Sequence, residues 1–199
     1  MTARAALAAL RSPSPALRAA WLCSGLAAAA LARAAINGRG ATSAFLAGSG
    51  FGFALLWLAL GGGWRPTLPR PGSLVIGLLG GILLVGVPLV AGPSTRALTA
   101  MRPEPFVAWL VVTILVVCGE EVLLRGALIE AVQQASGPVA AVLVSSVAFA
   151  LMHVPLYGWG VVPIDLAAGA CLAGLRYLTG GVAAPAVAHL LADLATWWL

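Results

Sequence analysis

From Ala41 to Leu60 the chain contains no charged residue, and the same is true from Ser73 to Gly92. Apolar runs of about 20 residues match the hydrocarbon thickness of a bilayer. They are too uniform for a soluble helix, which keeps one polar face. The rest of the chain agrees, with 61% hydrophobic and only 9% charged residues, where soluble domains carry about 25% charged residues. A segment in lipid must satisfy its own backbone hydrogen bonds, so such runs become helices. The expected fold is all-α: a polytopic transmembrane helical bundle of about seven spans around a central polar cavity. Residues 1–199 form a single integral membrane domain.

All eleven basic residues are arginine, and the formal net charge is +5. They stand singly or in pairs at the edges of apolar runs. That placement suits the headgroups of membrane lipid, not a nucleic acid, which needs a concentrated basic face. Residues 1–16, with Ser-Pro-Ser-Pro at 12–15 and no acid, read as a short N-terminal tail. The run 19–32 between Arg18 and Arg33 reads as a signal-type segment or a thin first span, with the span preferred. Heavy use of Ala, Gly and Arg without lysine suggests a GC-rich genome and a bacterial inner membrane.

Spans are expected at 41–60, 73–92, 138–152, 163–179 and 182–199, with a polar connection at 93–103. Trp57 and Trp64 are placed as interface anchors. Gly48 with Gly52, and Gly77 with Gly81, form small-residue faces for close helix packing. The three cysteines, Cys23, Cys118 and Cys171, lie in apolar runs without paired spacing and read as packing residues. The central stretch, Pro105 to Ser136, is about 45 Å long as a helix. It exceeds the bilayer core and must tilt, break or emerge; Gly119 and Gly126 are candidate break points, and Gly137-Pro138 ends it.

This central stretch carries Glu120, Glu121 and Arg125. Charge inside a spanning segment is costly and marks function by default. Glu121 and Arg125 are four residues apart and can pair on one helix face. Glu120 points about 100° away, which leaves one carboxylate neutralised and one free, with the reduced hydration that a general base needs. Phe149 and His153 repeat the spacing, so the ring can back the imidazole. His189 and Asp193 repeat it again on the last span. Asp165 and Arg176 sit near the two ends of their span and read as partners of the helix dipole. Six acids and two histidines are all that the chain has, and three such pairs on three late spans are a constellation. A carboxylate with two imidazoles can activate water for attack on a carbonyl; three N/O ligands with an open position also describe a catalytic zinc site.

In this order, Glu120-Glu121-x-x-x-Arg125, Phe149-x-x-x-His153 and His189-x-x-x-Asp193 resemble the three motifs of the CAAX-processing and bacteriocin-protection (CPBP) family of intramembrane proteases, related to the type II CAAX prenyl endopeptidases. The resemblance covers roughly residues 104–199. It implies a catalytic set of Glu120, Glu121, Arg125, His153, His189 and Asp193, acting on a peptide or protein substrate that can be lipidated. Glu120 and His153 would hold and activate the water, His189 and Asp193 would face the oxyanion, and Glu121 with Arg125 would fix the geometry. The family is described both as metalloproteases and as metal-free glutamate proteases. A metal, with zinc as the candidate, would fall to Glu120, His153 and His189. Family members often carry Asn where Asp193 stands; an ionised carboxylate cannot donate to an oxyanion, so Asp193 is expected to orient His189 instead. Two readings compete with the hydrolase: a non-catalytic immunity or regulatory protein that keeps the bundle, and a small transporter using Glu120 and the histidines as a proton relay. The two halves of the chain show no repeat that would support a transporter.

Overall fold

A computed structural model describes residues 13–37, 41–91 and 106–197. Most of the N-terminal tail, the connection at 93–103 and the start of the 104–199 motif region lie outside the described residues. The described elements are helical throughout: α1 Pro15–Ile36, α2 Ala41–Gly61, α3 Ser73–Ala91, α4 Phe106–Glu121, a π-helical segment Val122–Leu128, α5 Ile129–Tyr157, a 3-10 turn Trp159–Val161, α6 Val162–Thr179 and α7 Ala183–Thr196.

Among the described residues, four helical stretches are long and apolar enough to cross a membrane: Pro15–Ile36, Thr42–Gly61, Phe106–Tyr157 and Trp159–Thr179. Two shorter apolar helices, Ser73–Gly86 and Ala183–Thr196, accompany them. The first span is longer than the run 19–32 suggested. Ser14 caps its start, accepting from the Leu17 amide at 3.2 Å, and Pro15 takes the first helical position, where a missing N–H costs nothing. Leu78, Leu79, Ile82 and Leu83 on α3, and Phe53 and Trp57 on α2, point outward. An apolar exterior of this kind is what lipid contact requires.

The long central stretch neither stops at Gly119 nor breaks at Gly126. It runs on through the π segment, and its end emerges at Gln133–Ser136, where the side chains are exposed. Gly137, at φ 85° and ψ 173°, turns the chain within α5. Pro138 then opens the second arm, which continues through Pro155 to Tyr157, beyond the expected end at 152.

The π segment is the centre of the packing: Leu123, Leu124, Arg125, Gly126, Ala127 and Leu128 are all buried. α1 and α2 pack on one side of the central helices; α3 pairs with α7, and α6 lies between α5 and α7. The glycine faces do the close packing. A Cβ on Gly119 would lie 2.7 Å from the Gly52 carbonyl oxygen, and a Cβ on Gly77 would lie 2.7 Å from the Ala184 carbonyl oxygen. Gly126 admits the indole of Trp64, so Trp64 packs against the π segment while Trp57 alone of the pair is fully outward.

Replacing Gly137 by alanine forces a side chain into the left-handed region, at about 1–2 kcal/mol. The expected outcome is a drop of several degrees in the unfolding temperature of the detergent-solubilised protein, read by tryptophan fluorescence.

Candidate active site

Glu121 sits at the N-terminal edge of the π segment and Arg125 one turn into it. Both side chains are fully buried, and Arg125 Nη1 donates to Glu121 Oε1 at 2.9 Å. The second amine, Nη2, donates to the Gly169 carbonyl of α6 at 3.3 Å. Two carbonyls within the π segment take side-chain donors from elsewhere. Ser145 Oγ donates to Leu124 at 3.3 Å, and Arg176 Nε donates to Arg125 at 2.9 Å. Arg176, expected as a helix-end charge, therefore also ties α6 to the element that carries the glutamates. Local widening of a helix at a site of this kind is a common use of the π conformation.

His189 of α7 joins the pair. Its Nδ1 lies 2.9 Å from Glu121 Oε1, the oxygen already bound by Arg125. A carboxylate shared with a guanidinium is an acceptor, so Nδ1 is the donor. That leaves Nε2 directed at two other carboxylates, 3.8 Å from Glu120 Oε2 and 3.6 Å from Asp193 Oδ1. Both separations exceed hydrogen-bond length and leave Nε2 open. The group that orients His189 is thus Glu121, not Asp193; Asp193 has a 40% exposed side chain and stands at the edge.

Glu120 is buried in the same cluster. It interacts electrostatically with His153, His189, Asp193 and Arg33. Its Oε1 is enclosed with no hydrogen-bond partner, and the nearest cation to it is Arg33 Nη1 at 3.9 Å. The division expected between the two glutamates matches this geometry: Glu121 is tied down on Oε1, and Glu120 has an unused oxygen.

Phe149 gathers these groups. Its ring meets His153 at 4.9 Å and His189 at 5.3 Å, both edge-on, and the Arg125 guanidinium lies over it at 4.6 Å. His153 has a further partner that the sequence did not mark as a site residue. Its Nδ1 is 2.9 Å from Asp165 Oδ2, an ion-pair distance without hydrogen-bond alignment. Asp165 does lie in the first turn of α6, where a dipole partner belongs. Nothing in its spacing links it to His153, because the pairing joins two helices. Arg33 was missed for the same reason; the one available signal was that it ends a span in a chain with few charges.

The metal expected from the candidate set was tested against the donors. Among the described residues no three His, Cys, Asp or Glu side chains converge to hold an ion. Glu120, His153 and His189 share the cluster; Nδ1 of His189 and Nδ1 of His153 each face another carboxylate, so each imidazole would offer Nε2 to an ion.

Removing Arg125 strands a fully buried carboxylate. Arg125→Ala is expected to cost about 3–5 kcal/mol, as for one-sided loss of a buried ion pair. The check is unfolding temperature and yield of folded protein in detergent, with Arg125→Lys recovering part of the loss.

Residues 102–195 match the family model described as type II CAAX prenyl endopeptidase Rce1-like. The matched part holds all six expected site residues together with Phe149 and Asp165, and it excludes α1, α2 and α3. No curated protein and no solved structure matches the chain. That match covers the motif-bearing part of the chain and agrees with the resemblance of its three motifs to the CAAX-processing proteases.

Proposed function

We propose that the protein is an intramembrane endopeptidase in which Glu120 activates the attacking water. The observation that carries this reading is the state of Glu120: buried, one oxygen without a hydrogen-bond partner, the other facing the open Nε2 of His189. The match of residues 102–195 to a CAAX endopeptidase family model supports the reaction class. In this reading the chain crosses a bacterial inner membrane seven times, through α1, α2, α3, the central helix to Ser136, the arm from Pro138 to Tyr157, α6 and α7. The cluster then occupies a polar cavity among them.

The chemistry needs a base, an orienting group and an oxyanion donor. Water between Glu120 and His153 gives a proton to the Glu120 carboxylate as its oxygen attacks the peptide carbonyl carbon. The carbonyl electron pair moves onto oxygen. With Nδ1 donating to Glu121, protonated His189 donates to that oxyanion from Nε2. Collapse of the intermediate breaks the C–N bond, and the leaving nitrogen takes the proton from Glu120. Asp165 restrains the His153 ring.

A lipid-modified substrate is supported by an apolar groove of about 500 Å³ between α1 and the second arm of α5. Its lining includes Leu26 and Ala30 on one wall and Val147, Leu151 and Met152 on the other. Met152, which adjoins His153 in sequence, is part of that lining.

Two variants test the reading. Glu120→Gln keeps the shape and removes the base; proteolysis is expected to fall by about a hundredfold or more, while the protein still folds and inserts. The measurement is mass spectrometry of membranes with wild-type or Glu120→Gln protein, each with and without a chelator. Cleavage that persists in Glu120→Gln overturns the mechanism, and cleavage lost on chelation reassigns it to a metal. Asp193→Asn is expected to lower proteolysis by no more than about fivefold, the scale of an exposed ion pair, because Glu121 holds His189.

A further inference from the structure

Among the described residues, the arginine in ion-pair range of Glu120 comes from outside the family-matched part of the chain. Arg33 lies in the last turn of α1. An arginine there is ordinarily explained by the helix dipole, with its long side chain reaching out to the headgroups. Arg33 does the reverse. Its side chain is only 19% exposed, its guanidinium lies over the Phe51 ring of α2 at 4.8 Å from the centroid, and Nη1 points to Glu120 Oε1 at 3.9 Å.

The two oxygens of Glu120 are thereby bracketed from opposite sides. Oε1 faces Arg33 of α1 and Oε2 faces His189 of α7. The 3.9 Å gap is longer than a hydrogen bond and is an ion-pair separation. Attraction between buried charges at this range is screened far less than at a surface. Rotation of the carboxylate away from His189 would carry Oε1 away from Arg33, so the guanidinium resists it. Phe51, buried in the core, fixes the plane of the guanidinium by stacking.

We propose that Arg33 is a positioning residue for Glu120: it holds the carboxylate in the orientation that keeps Oε2 toward His189 and the attacking water. The role in catalysis rests on the endopeptidase reading; the link between the two side chains does not. It gives α1, which the family match leaves out, a direct part in the site.

The test uses the full-length protein in detergent and the variants Arg33→Ala, Arg33→Gln and Arg33→Lys. The substrate is a peptide spanning a bond found cleaved only with wild-type protein in the membrane comparison. Arg33→Ala and Arg33→Gln are expected to lower kcat by about tenfold or more with KM changed less than about twofold, as misorientation of a reacting group does. Arg33→Lys keeps the charge and recovers part of kcat. In parallel, unfolding temperatures of Arg33→Gln, Glu120→Gln and the double variant form a cycle, which is expected to depart from additivity by about 2 °C or more. A raised KM with kcat unchanged overturns the proposal and makes Arg33 a contact for a substrate carboxylate. An additive cycle overturns it as well. A wild-type protein that cleaves nothing, with a non-additive cycle, removes the endopeptidase reading and keeps the Arg33–Glu120 link.

Discussion

The structure depends on one oxygen atom. Oε1 of Glu121 accepts from Arg125 on its own helix and from His189 on α7, in a place where no side-chain surface reaches solvent. A buried ion pair gains little over an apolar pair of the same volume, yet losing one member is costly. Its value here is geometric. Arg125 also reaches the Gly169 carbonyl of α6, and its guanidinium lies over Phe149 of α5. Four elements, the π segment, α5, α6 and α7, are therefore registered to one another through a single charge pair.

With Glu121 fixed in this way, Glu120 stays in ion-pair range of its partners but has no hydrogen bond on Oε1. The two residues are neighbours in sequence with the same side chain, and the helix turns them to different surroundings. Glu121 meets a guanidinium and an imidazole at hydrogen-bond distance. Glu120 meets an imidazole and a guanidinium just beyond it. The same charges thus serve structure at short range and leave a carboxylate oxygen available at longer range. The π segment serves this division by keeping both glutamates at the point where the central helix is most enclosed.

The spans and their packing faces were legible because lipid imposes a simple rule on composition. Runs without charge became helices, and glycines at i,i+4 marked where helices touch. The bounds that shifted did so through side chains with local effects, such as the Ser14 cap that starts α1 early. The π segment was not legible: nothing in Val122–Leu128 demands it, and it is stabilised by donors from Ser145 and Arg176 on other helices. Trp64 was assigned to the interface on its position alone, and only the gap left by Gly126 moved it inward.

The sequence by itself determined a membrane-embedded helical chain and the three i,i+4 pairs, because both follow from spacing along a helix. The tertiary structure decided which carboxylate holds His189, that Asp165 meets His153, and that Arg33 faces Glu120. Each of these joins side chains from different helices. Such contacts depend on how helices are rotated and how deep they sit, and helical periodicity carries no information on either.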